Sequence, residues 1–300
     1  MNEAKTPLSA TLLGFGEAGS ILSAALVKAG AQSVATYDVK FEEAEGALMM
    51  ARAEAVGAHA AASPDDAAAG SDIIIAAVTA SSSVEAARAA ARYIRPDQFY
   101  LDINSVSPGK KREAARLIDD AGGRFVDVAV MAPVPPYGIK VPMAVGGKWG
   151  PAVAERLVPF GFRIDVFERE IGYVSAMKMC RSVMIKGIES LVIEAMTAAH
   201  AYDVVDQVIP SLDEYFKGKD WRWQAEYMFG RVVEHGVRRA AEMREAARTV
   251  AEIGLEPVMT AATAERQQWI ADHIPRDTFK GREPKLDDYA AAVEAALDGK

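Results

Sequence analysis

Between Ala10 and Asp38 the chain runs through an apolar stretch, a glycine turn, a helix and a second apolar stretch that ends on an acid, and few folds accept that order. Ala10-Thr11-Leu12-Leu13 reads as a buried strand, and Gly14-Phe15-Gly16-Glu17-Ala18-Gly19 follows at once. Ser20 to Ala29 reads as a helix closed by Gly30, and Ser33 to Tyr37 as a second strand ending at Asp38. A dinucleotide site needs this arrangement. Gly14 permits a tight turn, Gly16 lets backbone approach a pyrophosphate, and Gly19 lets helix and strand pack closely. The helix start offers unpaired N–H groups to phosphate. Gly14, Phe15, Gly16, Glu17, Ala18 and Gly19 are therefore the candidate cofactor contacts. Asp38 lies 19 residues past the last glycine, close to the expected spacing of about 20. A carboxylate there accepts bonds from both ribose hydroxyls of NAD and repels the 2′-phosphate of NADP. Lys40, two residues on, would blunt that repulsion. The expected cofactor is NAD, with NADP admitted. Read without its context, the turn is an ordinary βα turn and Asp38 a strand-end residue.

Organisation along the 300 residues supports an α/β class. Short apolar runs at Ser71–Val78, Phe99–Ile103, Arg124–Val130, Pro142–Gly146 and Phe162–Phe167 alternate with helical segments at Glu42–Val56, Val84–Tyr93, Lys110–Ala121 and Ala152–Leu157. Such alternation predicts a doubly wound parallel sheet, a Rossmann domain over residues 1–168. From Gly172 to Tyr202 apolar residues recur at helical spacing without a proline. Helical segments then continue to Leu297, with breaks near Pro210, Gly218, Gly254–Pro257 and Pro275. Residues 169–300 are thus expected as an all-α domain serving substrate and dimerisation.

Composition removes several classes. The formal net charge is −8 and no basic run appears, which argues against nucleic acid. One cysteine, Cys180, excludes an intramolecular disulfide and fits a reducing compartment; its apolar and basic neighbours suggest a thiol in a helix core. The histidines His59, His200, His235 and His273 have no metal-ligand spacing, so no metal is expected. No apolar run is long enough to span a membrane and residues 1–7 lack a signal-peptide pattern, so a cytoplasmic protein is expected.

Three further segments carry candidate chemistry. Asp102-Ile103-Asn104-Ser105-Val106-Ser107-Pro108 closes a strand, where ligands bind in open α/β sheets. Ser107 before Pro108 is a good helix cap, which leaves Asn104 and Ser105 available to a ligand. Asp127 to Gly138 is apolar and proline-rich, either a pocket wall or a polyproline surface connection. Lys178, Ser182 and Lys186 recur every four residues on one helix face. A lysine among Met, Ala and Val would be partly desolvated and drawn toward acid/base use, although most helix lysines are simply exposed. His235 and Arg238, with Tyr227, either line a pocket from the second half or belong to a solvated helix.

The glycine turn, the Asp102–Pro108 segment, the Asp127–Pro133 segment and a helix carrying Lys178 resemble, in order, the motifs of the β-hydroxyacid dehydrogenases over residues 8–200. That family includes 3-hydroxyisobutyrate and 6-phosphogluconate dehydrogenases. The second half looks like a branch with a phosphogluconate-dehydrogenase-like C-terminal domain. The resemblance implies NAD(P)-dependent hydride transfer at a hydroxyl carbon, with Lys178 as acid/base. It implies that Asn104 and Ser105 bind substrate, and that Val78, Thr79 and Asn104 lie at the cofactor. The chain departs from the pattern in three places. Met131-Ala132-Pro133 replaces a glycine pair that cradles the substrate carboxylate, Ser182 replaces a helix asparagine, and Asn104 replaces a serine. These positions, with His235 and Arg238, are carried as substrate contacts. The altered anchors point to a larger or less anionic substrate. A homodimer through the helical half is expected. A non-catalytic NAD(P) sensor and an imine reductase are the alternatives; imine reductases usually replace the lysine.

Overall fold

The computed structural model describes residues 5–44, 46–218 and 220–298, and the chain divides into two compact units, residues 1–182 and 183–300. The first unit opens with β1 (Ser9–Leu13), α1 (Glu17–Lys28), β2 (Ser33–Tyr37), α2 (Gly46–Ala55), β3 (His59–Ala60), α3 (Pro64–Ala68) and β4 (Ile73–Ala76). It continues with α4 (Ser83–Ala90), β5 (Phe99–Asp102), α5 (Pro108–Asp120), β6 (Arg124–Val130), α6 (Val134–Tyr137), β7 (Pro142–Gly146), α7 (Gly150–Leu157) and β8 (Arg163–Phe167). The strands form one sheet in the order β3-β2-β1-β4-β5-β6-β7-β8. β1 and β4 are neighbours, so the sheet reverses its winding between them, and the crevice outside their C-terminal ends is where such sheets take ligands.

β4, Ile73-Ile74-Ile75-Ala76, is buried along its whole length because helices cover both sheet faces. One core layer joins Leu12, Leu22, Leu26, Ile73, Ile75, Leu101 and Val128; the opposite layer joins Ile74, Tyr100, Ala114, Ile118 and Phe125. The sheet is parallel except between β6 and β7, which pair antiparallel. The connection over residues 131–141 is too short for a parallel crossover.

Local structure departs from the sequence reading in some places and adds to it in others. The 42–56 helix begins only at Gly46, because the Asp38 carboxylate accepts the Lys40 N–H at 3.0 Å and holds Val39–Glu42 as a separate 3₁₀ turn. The short β3 and α3, the latter capped by Ser63, were not foreseen. The proline-rich segment after Pro133 closes into the one-turn α6, so the polyproline alternative, which its low polarity argues against, is not what forms. Cys180 is exposed, not in a helix core.

α8 (Tyr173–Ala201) leaves the first unit and continues into the second. The second unit adds α9 (Val205–Phe216), α10 (Trp221–Glu252), α11 (Val258–His273) and α12 (Leu286–Asp298). α9 runs through Pro210 without the expected break, forgoing the one N–H bond that the Asp206 carbonyl would accept. α10, α11 and α12 pack around Val233, Ile270, Ile274 and Tyr289. Buried Glu194 of α8 receives the N–H groups of Met259 (2.6 Å) and Thr260 (3.1 Å) and the Thr260 hydroxyl (2.7 Å), satisfying the start of α11. Burial alone would raise this carboxyl; the three donors outweigh it and hold the carboxyl below its usual range. No described helix is long and apolar enough to cross a membrane.

Candidate functional site

The turn after β1 is built as its glycines suggest. Gly14 has φ +100°, and a side chain there would sit 2.4 Å from the Ala77 carbonyl beyond β4. A Cβ at Gly19 would meet the Gly14 carbonyl at 1.9 Å, so the first turn of α1 rests directly on the glycine turn. A Cβ at Gly16 would meet nothing within 4 Å. Gly16 precedes α1 and supplies no capping side chain, so the helix start keeps its N–H groups for an anion. The Asp38 carboxylate accepts the Phe15 N–H at 2.7 Å through Oδ2 and the Lys40 N–H through Oδ1. A carboxylate has about four acceptor sites, so two remain for ribose hydroxyls.

These groups border one cavity of about 1020 Å³. Gly14, Phe15, Gly16, Glu17, Asp38, Val78 and Thr79 line it. Ala18, Gly19 and Asn104 do not: Gly19 is spent against Gly14, and the Asn104 amide turns inward to Asp102 Oδ1 at 2.6 Å. Residues that the motif did not single out complete the wall, among them Ile21, Tyr37, Arg52, Ser82 and Tyr93. The hydroxyl of Tyr93 is pushed up, chiefly by burial. Arg52 and Lys40 are cations on the same wall as Asp38. An open cradle at Gly16, an uncapped helix start and a carboxylate with spare acceptor sites all fit a dinucleotide.

Where β5 ends beside the middle of β6, the structure brings together groups far apart in sequence. Asp102 and Asp127 are register partners, both fully buried, and Lys111 of α5 lies between them with no exposure. Nothing in the sequence marked Lys111, since Lys110 and Lys111 read alike as a solvated helix start. Ser107 caps α5 as expected, and Ser105 is exposed. Met131 packs with Ala129, Ala144, Phe167, Val174 and Met177, joining the end of β6 to the first turns of α8. Ala132 is half-buried and Pro133 exposed. Lys178 and Ser182 are both half-buried on α8. His235 and Arg238 lie on α10 in the second unit, where Arg238 pairs with Glu242 of its own helix and His235 lies 3.7 Å from Glu234. Arg238 is exposed and His235 half-buried on that helix.

Two families match the chain. Residues 9–132 match the NAD binding domain of 6-phosphogluconate dehydrogenase, and residues 199–270 match a domain of unknown function, DUF1932. A conserved hypothetical protein from Sinorhizobium meliloti 1021 is 34% identical, covering 98% of this chain and 97% of its own, with a TM-score of 0.62. The conserved protein MTH1747, of unknown function and described as structurally similar to 3-hydroxyacid dehydrogenases, is 32% identical over 88% of this chain and 97% of its own, with a TM-score of 0.59. An imine reductase from Streptomyces aurantiacus shares the fold at 18% identity and a TM-score of 0.71, over 96% of this chain and 99% of its own. The chain belongs to the 3-hydroxyacid dehydrogenase-like family of NAD(P)-binding oxidoreductases, in the branch that joins this NAD-binding domain to DUF1932.

Proposed function

We propose that the protein interconverts an alcohol and a carbonyl compound with NAD as preferred cofactor, and that Lys178 is the acid/base. The observation that carries the cofactor preference is the Asp38 carboxylate, held in the nucleotide cavity with two acceptor sites to spare. The acid/base role rests on the position of Lys178, one turn past the anchored start of α8, and on the match of that position to the family's lysine. Bound NAD(P) supplies the two-electron acceptor or donor. Lys178 takes the hydroxyl proton as the alcohol is oxidised and returns it in the reverse direction. Met131 and Met177, packed against Ala129, Ala144 and Val174, give the first turns of α8 an apolar side. Asn104 and Ser105 stand as candidate substrate contacts, with Ser105 the more accessible. Ala132, Pro133 and Ser182 replace small-carboxylate anchors, which favours a larger or less anionic alcohol.

The unit begun at Val183 is proposed as the dimerisation half. Val183, Val192 and Ile193 are exposed on a stretch of α8 that is apolar on several sides, and a helix of that kind needs covering. A second copy presents the same surface, as a twofold interface requires. A cytoplasmic location is proposed on the unpaired Cys180.

The test is turnover of NAD with a panel of hydroxyacids, sugar acids and aryl alcohols, with cyclic imines and NADPH as the competing arm. Positioned proton transfer contributes about 10²–10⁴-fold, so Lys178→Ala is expected to lose that much kcat with little change in NAD affinity. Lys178→Arg does not rescue it, because a guanidinium keeps its proton near neutral pH. Near-native turnover in Lys178→Ala, or turnover of imines alone, overturns the proposal.

A further inference from the structure

Lys111 is a lysine with no solvent exposure, set between two carboxylates that have none either. Its Nζ lies 3.2 Å from Asp102 Oδ1 and 3.4 Å from Asp127 Oδ1, and it donates to the main-chain carbonyls of Asp102 and Val128, the latter at 3.3 Å. Burying three charges is costly, and apolar side chains of similar volume fill such a space with equal or better stability. What ions add is direction, because each carboxylate oxygen takes particular donors.

Those donors lie on two arms. Asp102 Oδ1 accepts the backbone N–H of Asn104 at 2.9 Å and its side-chain amide at 2.6 Å, while Oδ2 accepts the Ser83 hydroxyl at 2.8 Å. Asp127 Oδ2 accepts the Gly172 N–H at 2.9 Å, and Oδ1 accepts the Ser175 hydroxyl at 2.7 Å. The second arm therefore caps α8 from a neighbouring strand, three residues before Lys178. Gly172, at φ +101°, makes the bend; a Cβ there would press on Arg112 Nη1 at 2.8 Å and on Pro108 at 3.1 Å. Gly172, just before α8, thus lies close against Pro108, the first residue of α5, and the Arg112 side chain.

We propose that Lys111 is a positioning residue that locks Asn104 and the first turns of α8, and with them Lys178, into one arrangement; the catalytic meaning of this rests on the acid/base reading of Lys178. Without the cation the two carboxylates lose their common partner, and each arm is released. Because both arms share Lys111 as their cation, a change made on one is felt on the other.

Nuclear magnetic resonance of the 300-residue chain tests this without any substrate. The Asn104 side-chain NH₂ signal is assigned by its loss in Asn104→Asp, and the Lys178 Cε signal by its loss in Lys178→Arg. In Lys111→Met both signals are expected to shift by more than a linewidth, while amide signals of β1 and β2 stay in place. In Ser175→Ala, which removes one hydroxyl and is the variant that decides if Lys111→Met does not fold, the Asn104 NH₂ signal is expected to shift although Ser175 makes no bond to it. An unmoved Asn104 signal in the folded variants, or equal shifts throughout the sheet, overturns the proposal. The acid/base reading fails on turnover of Lys178→Ala instead, so the two failures are separate.

Discussion

The Asp38 carboxylate and the Phe15 N–H meet at 2.7 Å, so the acid at the end of β2 holds the glycine turn that follows β1 while it faces the nucleotide cavity. One side chain thus shapes the turn and, in the proposed cofactor reading, is also the one that meets the ribose. Asp38→Ala is expected to weaken NAD binding and to narrow the gap between NAD and NADP, since Lys40 and Arg52 then face the ribose without a competing anion. Isothermal calorimetry with both cofactors measures this. Tighter binding of NADP than NAD by the native chain would refute the role given to Asp38.

Gly16 and Gly19 separate binding from folding. A side chain at Gly16 projects into open space, so Gly16→Val folds with a melting temperature within a few degrees of native yet loses most NADH affinity. Gly19→Ala places a methyl 1.9 Å from the Gly14 carbonyl and is expected to destabilise the fold by about 1–3 kcal/mol. Thermal unfolding with and without NADH distinguishes the two.

Glu194 predicts a pH signature in the second unit. Its carboxyl is held below the ordinary value of 4.5 when folded, so its contribution is full above the unfolded value and fades as pH falls through the folded one. Glu194→Gln is expected to cost about 1–3 kcal/mol near pH 7, from charged bonds to the start of α11. Denaturant unfolding should show native and variant converging below about pH 4. A constant difference across that range would contradict the assignment.

Light scattering at micromolar concentration is expected to give at least twice the 32.2 kDa chain mass. Placing aspartate at two exposed apolar positions of α8, Val183→Asp with Ile193→Asp, should shift the protein to monomer. A native monomer would remove the argument for a second copy.

Local chemistry made much of this protein legible before its fold was known. The glycine turn, the Asp38 spacing, the strands Ser33–Tyr37, Arg124–Val130 and Pro142–Gly146, and the long α8 all follow from neighbours in the chain: turn geometry, apolar periodicity and unbroken helical spacing. Those same signals say nothing about direction, and the reversal of β7 against β6 appears only when the 131–141 connection closes. Lys111 shows the limit most plainly. Its neighbour Lys110 is exposed, and the two are indistinguishable in the string Pro108-Gly109-Lys110-Lys111. Only the sheet, by setting Asp102 beside Asp127, makes one of them a buried counter-ion while the other stays in water, because charge pairing depends on distances between strands that spacing along a chain does not contain.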